Sequence, residues 1–181
     1  MPEQVLVYDI GAHRILWTPS GGTETDLGLT EDGSVVEIAK DYEDIMVHEL
    51  SAPVDEVEKK VNCVATVKLV QFTMDNIALA LDSTKTTSSG KTSVDVSPKS
   101  GRKATFGKLI FRPRDLTSSD KSRDKTMYKA AIQTGFKPDQ QATKKRIFDV
   151  KFRGLCDQDA TTGSWRIFTE GDPTTAVLYA V

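Results

Sequence analysis

Most of this chain alternates apolar and polar residues with a period of two, the mark of strands with one buried face. Residues 4–10 set Val5 and Val7 against Leu6, Tyr8 and Ile10, and residues 13–17 put Ile15 and Trp17 on one side. Val36, Ile38, Ile45 and Val47 predict a strand pair, or one long strand broken near Asp41. The strongest strand is 61–72, with Cys63, Ala65, Val67 and Leu69 facing one way and Val64, Thr66, Lys68 and Val70 the other. Strands resume at 104–112, 126–136 and 144–154. In the last of these Phe148, Val150 and Phe152 oppose Ile147, Asp149, Lys151 and Arg153. Two final strands, 164–169 and 175–181, flank a turn at Glu170-Gly171-Asp172-Pro173. Residues 18–33, rich in Gly, Thr and acids, read as a loop.

One segment changes period. Met74, Ile77, Ala78 and Leu81 recur at helical spacing, Thr73 is placed to cap the free amides, and Asp75 suits the positive end of the dipole. A lone amphipathic helix among strands predicts a plug over one face of a sheet. Residues 83–103, dominated by Ser, Thr and Lys, read as a polar loop or a loosely made hairpin. About nine strands and one short α-helix predict a mostly β fold, an antiparallel sandwich or small barrel, in a single domain over 1–181. No internal repeat is present.

Composition narrows the classes. At 181 residues, 38% apolar and 28% charged, the chain has material for one core. No run approaches a membrane span, so no membrane insertion is expected, and MPEQVLVYDI is neither a basic leader nor a long apolar stretch. Two cysteines make no disulfide scaffold and lack zinc-site spacing. The net charge of −2 hides an asymmetry: residues 1–60 hold 4 basic and 14 acidic side chains, and residues 61–181 hold 20 and 12. Patches of opposite sign favour head-to-tail association when they face apart.

Catalytic patterns are incomplete. Ser89-Gly90-Lys91-Thr92 ends like a phosphate-binding loop, but the required earlier glycine is Lys85, and the run follows a helix instead of opening one. His13 and His48, the two histidines, form no metal-ligand pair, and no cofactor is expected. Cys63 reads as a small buried residue and Cys156 as a strand-end thiol without a located base. Trp17 and Trp165 read as core. The clusters Lys99-Arg102-Lys103 and Lys144-Lys145-Arg146 lack interleaved aromatics, which argues against specific nucleic-acid binding. Asp41, Glu43 and Asp44 read as a solvated or interface surface. The expectation is a protein that is not an enzyme.

One stretch is more distinctive. Gly28-Leu29-Thr30-Glu31-Asp32-Gly33-Ser34-Val35-Val36-Glu37 is followed by Tyr42-Glu43-Asp44-Ile45-Met46-Val47 and Pro53-Val54-Asp55. Then come Ala65-Thr66-Val67-Lys68-Leu69 and Asn76-Ile77-Ala78-Leu79-Ala80-Leu81. This order, over roughly residues 25–82, resembles the tail tube proteins of long-tailed bacteriophages. The resemblance implies a structural virion subunit that assembles as hexameric rings, stacked into the conduit for genome ejection. It would be assembled in the host cytoplasm and reside in the virion tail. Its partners would be further copies of itself, the tape-measure protein, tail-tip and terminator proteins, and viral DNA in transit without sequence-specific binding.

The resemblance also implies a β-sandwich beside a short helix, and a long inter-strand stacking loop at about 41–60. Asp41, Tyr42, Glu43, Asp44, Ile45, Val47, Leu50, Pro53, Val54 and Asp55 would form that loop, and Glu37 would face the lumen. Ile45, Val47, Leu50, Pro53 and Val54 suit a loop buried against a neighbour. The competing readings are a tail terminator or type VI secretion tube-like ring protein, and a monomeric ligand-binding β-sandwich using Trp17 or Trp165 as a platform.

Overall fold

A computed structural model describes residues 12–47, 52–97, 101, 103–133, 147–160 and 162–172. Its elements are β1 (His13–Pro19), β2 (Thr25–Asp26), β3 (Thr30–Met46), β4 (Pro53–Leu69), α1 (Met74–Ala80), β5 (Thr84–Ser88) and β6 (Lys91–Asp95). They continue with β7 (Phe106–Pro113), β8 (Lys125–Ile132), β9 (Phe148–Gly154), β10 (Asp157–Gln158), β11 (Trp165–Arg166) and β12 (Phe168–Glu170). The fold is mostly β, all its strand pairs are antiparallel, and one short helix interrupts them. The expected strands at 4–10 and 175–181, and parts of those at 126–136 and 144–154, lie outside the described residues.

The main sheet runs β2-β1-β7-β8-β9-β4-β3, with β12 added beside β8. Laid flat, seven strands at ~4.8 Å spacing would hold β2 and β3 about 29 Å apart. Yet Asp26 ends β2 and Thr30 begins β3, a stretch of chain that spans at most about 14 Å. The sheet must therefore curl until its two ends meet. The ring contact of Trp17 on β1 with Phe152 on β9, centroids 5.3 Å apart, shows that it does. Of the two architectures left open by the sequence, one curled, barrel-like sheet describes the molecule better than two facing sheets.

The barrel's interior is what the alternation predicted. Cys63, Ala65, Val67 and Leu69 of β4 and Phe148, Val150 and Phe152 of β9 are buried, joined by Ile15, Trp17, Leu109, Phe111 and Met127. Burying each of the larger side chains stabilises the fold by about 1.5–3 kcal/mol relative to exposure. On the other side of β9, Asp149, Lys151 and Arg153 are exposed.

Residues 18–33 are not simply a loop, because they hold β2 and the start of β3. Their close approach to the sheet needs Gly28, whose φ is 92° and where a Cβ would lie 1.9 Å from the Gln71 side chain. The helix secures the same link. Thr73 caps it by accepting from the Asn76 amide, and Asn76 is buried, donating from Nδ2 to the carbonyls of Leu27 and Gln71. The expected apolar stripe is thus shifted: Ile77 and Ala78 are buried as expected, but so are Asn76 and Ala80, while Met74 is exposed and Leu81 is half-buried. The helix shares a cavity of about 220 Å³ with Trp17, Thr105 and Ile132, at the end where β1 and β8 finish and β7 begins. It plugs one end of the barrel instead of covering a sheet face.

The expected polar loop at 83–103 contains an ordered two-stranded ribbon. β5 and β6 pair from Thr84↔Asp95 to Ser88↔Lys91. Ser89 (φ 51°) and Gly90 (φ 74°) make the two-residue turn, and left-handed backbone at both positions matches the twist of the strands it joins. The phosphate-loop look-alike is therefore a hairpin turn.

Candidate functional site: an acidic, apolar hairpin arm

The most unusual feature is the β3–β4 pair. Each strand is 17 residues long, and the two stay paired from Thr30↔Leu69 out to Met46↔Pro53 through three shifts of register. β9 accompanies β4 only over Cys63–Leu69. Beyond Cys63 the pair leaves the sheet as a free ribbon, about 25 Å long from Ala39 to Met46. The stacking loop expected at 41–60 is thus corrected: Asp41, Tyr42, Glu43, Asp44, Ile45, Pro53, Val54 and Asp55 belong to a paired arm. Leu50 lies outside the described residues. Continuous pairing was hard to foresee because the alternation slips at Asp41. The structure shows β3 unbroken there: Val36, Ile38 and Tyr42 keep one face and Glu43 and Ile45 the other, and the extra residue is Lys59 on β4, where Asp41 pairs with Lys60 but Tyr42 with Glu58 in a β-bulge.

Every residue from Glu37 to Val47 and from Ala52 to Lys60 is exposed. The ribbon has two faces and both carry apolar groups. Ile45 and Val57 lie on one, beside Glu43 and Asp55, their cross-strand partners. Tyr42 and Met46 lie on the other, with Asp44, Glu56 and Glu58. A two-stranded ribbon is marginal in water without something to pack on. Exposed apolar side chains on both faces mark a surface made to be covered.

The arm is also acidic, with Asp41, Glu43, Asp44, Asp55, Glu56 and Glu58 against Lys40, Lys59 and Lys60 among its described residues. Two ion pairs bridge its strands, Lys40 Nζ to Glu58 at 2.6 Å and Lys59 Nζ to Glu43 at 2.9 Å. The Glu58 hydrogen bond raises the Lys40 pKa above its ordinary value. Glu43 is therefore already neutralised within its own chain, whereas Asp41, Asp44 and Glu56 have no lysine or arginine partner among the described residues.

Neither family models nor curated proteins give a match to this chain.

The remaining candidates separate. Glu37 is exposed on the outer side of the sheet, in one rung with Val64 and Arg153. Trp17 is core, 5% exposed, and offers no platform. Trp165, read as core from its apolar neighbours, is 69% exposed and is corrected accordingly. It sits on β11, whose short pairing with β10 leaves one face uncovered, while its neighbour Arg166 stacks 3.6 Å over the Tyr128 ring and pairs with Asp159 at 2.5 Å. This site was missed because alternation is uninformative over two-residue strands. His13 is half-buried on β1, and His48 lies outside the described residues, as do Lys99, Arg102 and Lys144-Lys145-Arg146. Among the described residues no three His, Cys, Asp or Glu side chains converge as a metal site.

The two thiols differ in environment. Cys63 is fully buried, and burial pushes its thiol pKa up; Cys156 is exposed. Because the thiolate is the reactive form, one of the two should react with an alkylating reagent at neutral pH in the native protein, and both in denaturant. Mass spectrometry of the labelled peptides checks this, and label on Cys63 under native conditions would contradict its placement.

Proposed function

We propose that this chain is a tail tube subunit of a long-tailed bacteriophage, a non-enzymatic structural protein that stacks as hexameric rings into the conduit for genome ejection. The observation that carries the reading is the β3–β4 arm, a paired ribbon that leaves the barrel with apolar side chains exposed on both faces. The resemblance over residues 25–82 supplies the stoichiometry and the setting. It implies a subunit of the virion tail, beside the tape-measure protein and tail-tip or terminator proteins, with DNA in transit. The curled antiparallel sheet with one plugging helix suits the tail-tube type of sandwich or barrel. Glu37, on the solvent side of β3, fits a lumen position, where it would share its rung with Arg153 and present mixed charge to passing DNA.

Negative-stain electron microscopy across a concentration series tests the reading, with hollow tubes of six-membered rings as the expected result. Single rings that never stack would favour a terminator. Reversing Asp41, Asp44 and Glu56 to lysine should reduce tube yield most at low ionic strength, where screening is weakest. Tube yield unchanged at every salt concentration would remove electrostatics from the stacking. A second reading, a monomeric ligand-binding domain, draws on the exposure of Trp165. A chain that stays monomeric at all concentrations would select it.

A further inference from the structure

Where β9 stops at Gly154, the β3–β4 pair runs on, and a groove opens beside its root. About 450 Å³ of space lies between Ile38 and Val61 on one side and the segment Trp165–Phe168 on the other, room for a small organic molecule. Trp165 and Ile38 are exposed there, so one wall is aromatic and the other aliphatic. The ribbon that carries Trp165 is fastened by its neighbours. The Arg166 guanidinium stacks 3.6 Å over the Tyr128 ring and meets Asp159 at 2.5 Å, and Gln158, opposite Trp165 in the register, gives Nε2 to the Gly163 carbonyl. An exposed indole on a fastened ribbon is a preorganised platform, because a ligand need not first order it.

The cations of the groove are already neutralised, Lys40 by Glu58 at 2.6 Å and Arg166 by Asp159. An ionic ligand would have to displace one of these partners to gain much. A neutral ligand with hydroxyls need not. The Lys40 ammonium has donors beyond the one given to Glu58, and that carboxylate has further lone pairs, so the exposed pair presents a donor beside an acceptor. A sugar ring matches both features: its C–H face is apolar and stacks on an indole, while its hydroxyls point outward from the rim. We propose that this groove binds a neutral glycan, with one ring stacked on Trp165 against Ile38 and Val61 and adjacent hydroxyls hydrogen-bonded to Lys40 and Glu58. A proline-rich peptide fits less well, since such peptides dock in aromatic-lined grooves and Trp165 is the one exposed aromatic side chain among the described residues of this one. The inference goes beyond the tube reading and does not rest on it.

Saturation-transfer NMR and glycan-array binding of the full-length protein test the site, with neutral oligosaccharides of glucose, galactose, mannose and N-acetylglucosamine as probes. At least one series should bind with a Kd on the order of 1 mM or tighter. Transfer should be strongest to the C–H protons of one ring face, and Trp165 emission should shift to the blue while the buried Trp17 stays unchanged. Affinity should be indifferent to salt, since no net charge is matched. Trp165→Ala should weaken binding about tenfold or more, as loss of an aromatic anchor does. Trp165→Phe should restore most of it, and Lys40→Met should lower it a few-fold, all with the parent's circular dichroism spectrum. Binding to none of these series, or binding unchanged in Trp165→Ala, would overturn the assignment. So would capture of sulfated or sialylated glycans alone with affinity lost in salt, or of a polyproline peptide in place of any sugar. Tubes formed by a protein that binds no sugar would remove the glycan site and leave the tube reading intact. Sugar bound by a chain that never polymerises would do the reverse.

Discussion

Replacing residues 44–56 by an Asn-Gly turn is expected to leave a folded monomer that no longer polymerises. Glu43 and Val57 are direct cross-strand partners, so a two-residue turn can join them without disturbing the pairs below. None of the described residues removed contributes to the hydrophobic core, which lies below Cys63. Circular dichroism and the thermal midpoint should therefore stay within a few degrees of the parent protein. On the proposed tube reading, assembly should fall below detection at concentrations where the parent is expected to polymerise, since the variant loses the exposed apolar groups Ile45, Met46, Val47 and Val54 together. Tubes of unchanged length and yield would show that the arm is not the stacking element. An unfolded variant would show instead that the arm supports the barrel, contrary to its exposure along both strands.

The largest effect on stability is expected at Asp124. Arg112 on β7 reaches this residue with two nitrogens, Nε to Oδ1 at 2.9 Å and Nη2 to Oδ2 at 2.5 Å, and gives Nη1 to the Ser118 carbonyl. Both side chains are more than nine-tenths buried. The Asp124 hydrogen bonds raise the guanidinium's pKa further above its ordinary value, so the charge persists at every working pH. The pair cinches the long β7–β8 connection. The Asp124 carbonyl also accepts the Gly171 amide at 2.8 Å, tying in the end of β12.

Asp124→Ala leaves a charge buried without its partner, which costs about 3–5 kcal/mol. For a chain of this size the thermal midpoint should fall on the order of 10 °C. The double variant Arg112→Leu/Asp124→Leu should recover much of that loss, because a buried ion pair replaced by apolar side chains is often near neutral. Thermal unfolding followed by far-ultraviolet circular dichroism measures all three proteins. A single variant within about 1 kcal/mol of the parent would mean that water reaches the guanidinium and that the pair is not an anchor.

The parts of the site legible in the sequence were its residue types. Ile45, Val47, Pro53 and Val54 stood out as apolar groups in an acidic setting, and the paired arm keeps the described members of that set exposed together. Its form was not legible, because both faces of the arm are exposed and its apolar residues change face between Ile38 and Ile45, tracing no single buried side. Nor was the distinction among the acids. Glu43 and Asp44 are neighbours of like type, yet only Glu43 meets a lysine across the ribbon. Trp165 was misjudged for a related reason, since its apolar neighbours Ile167 and Phe168 turn toward the core while β11 holds the indole outward.

By itself the sequence determined the strands of the barrel wall at 13–17, 61–69 and 148–152 and which face of each is buried. A period of two is a local property of the chain, and burying one face is favourable in any antiparallel arrangement that supplies a core. It also determined the helix and its Thr73 cap, which depend on contacts within three or four residues. The tertiary structure alone decided that the sheet curls, because closure follows from β2 and β3 lying at opposite ends of the strand order while being adjacent in the chain. It decided too where β4 outruns β9, and hence that half of the longest hairpin stands free. Strand order and strand overhang arise from pairings between distant residues, which no local pattern records.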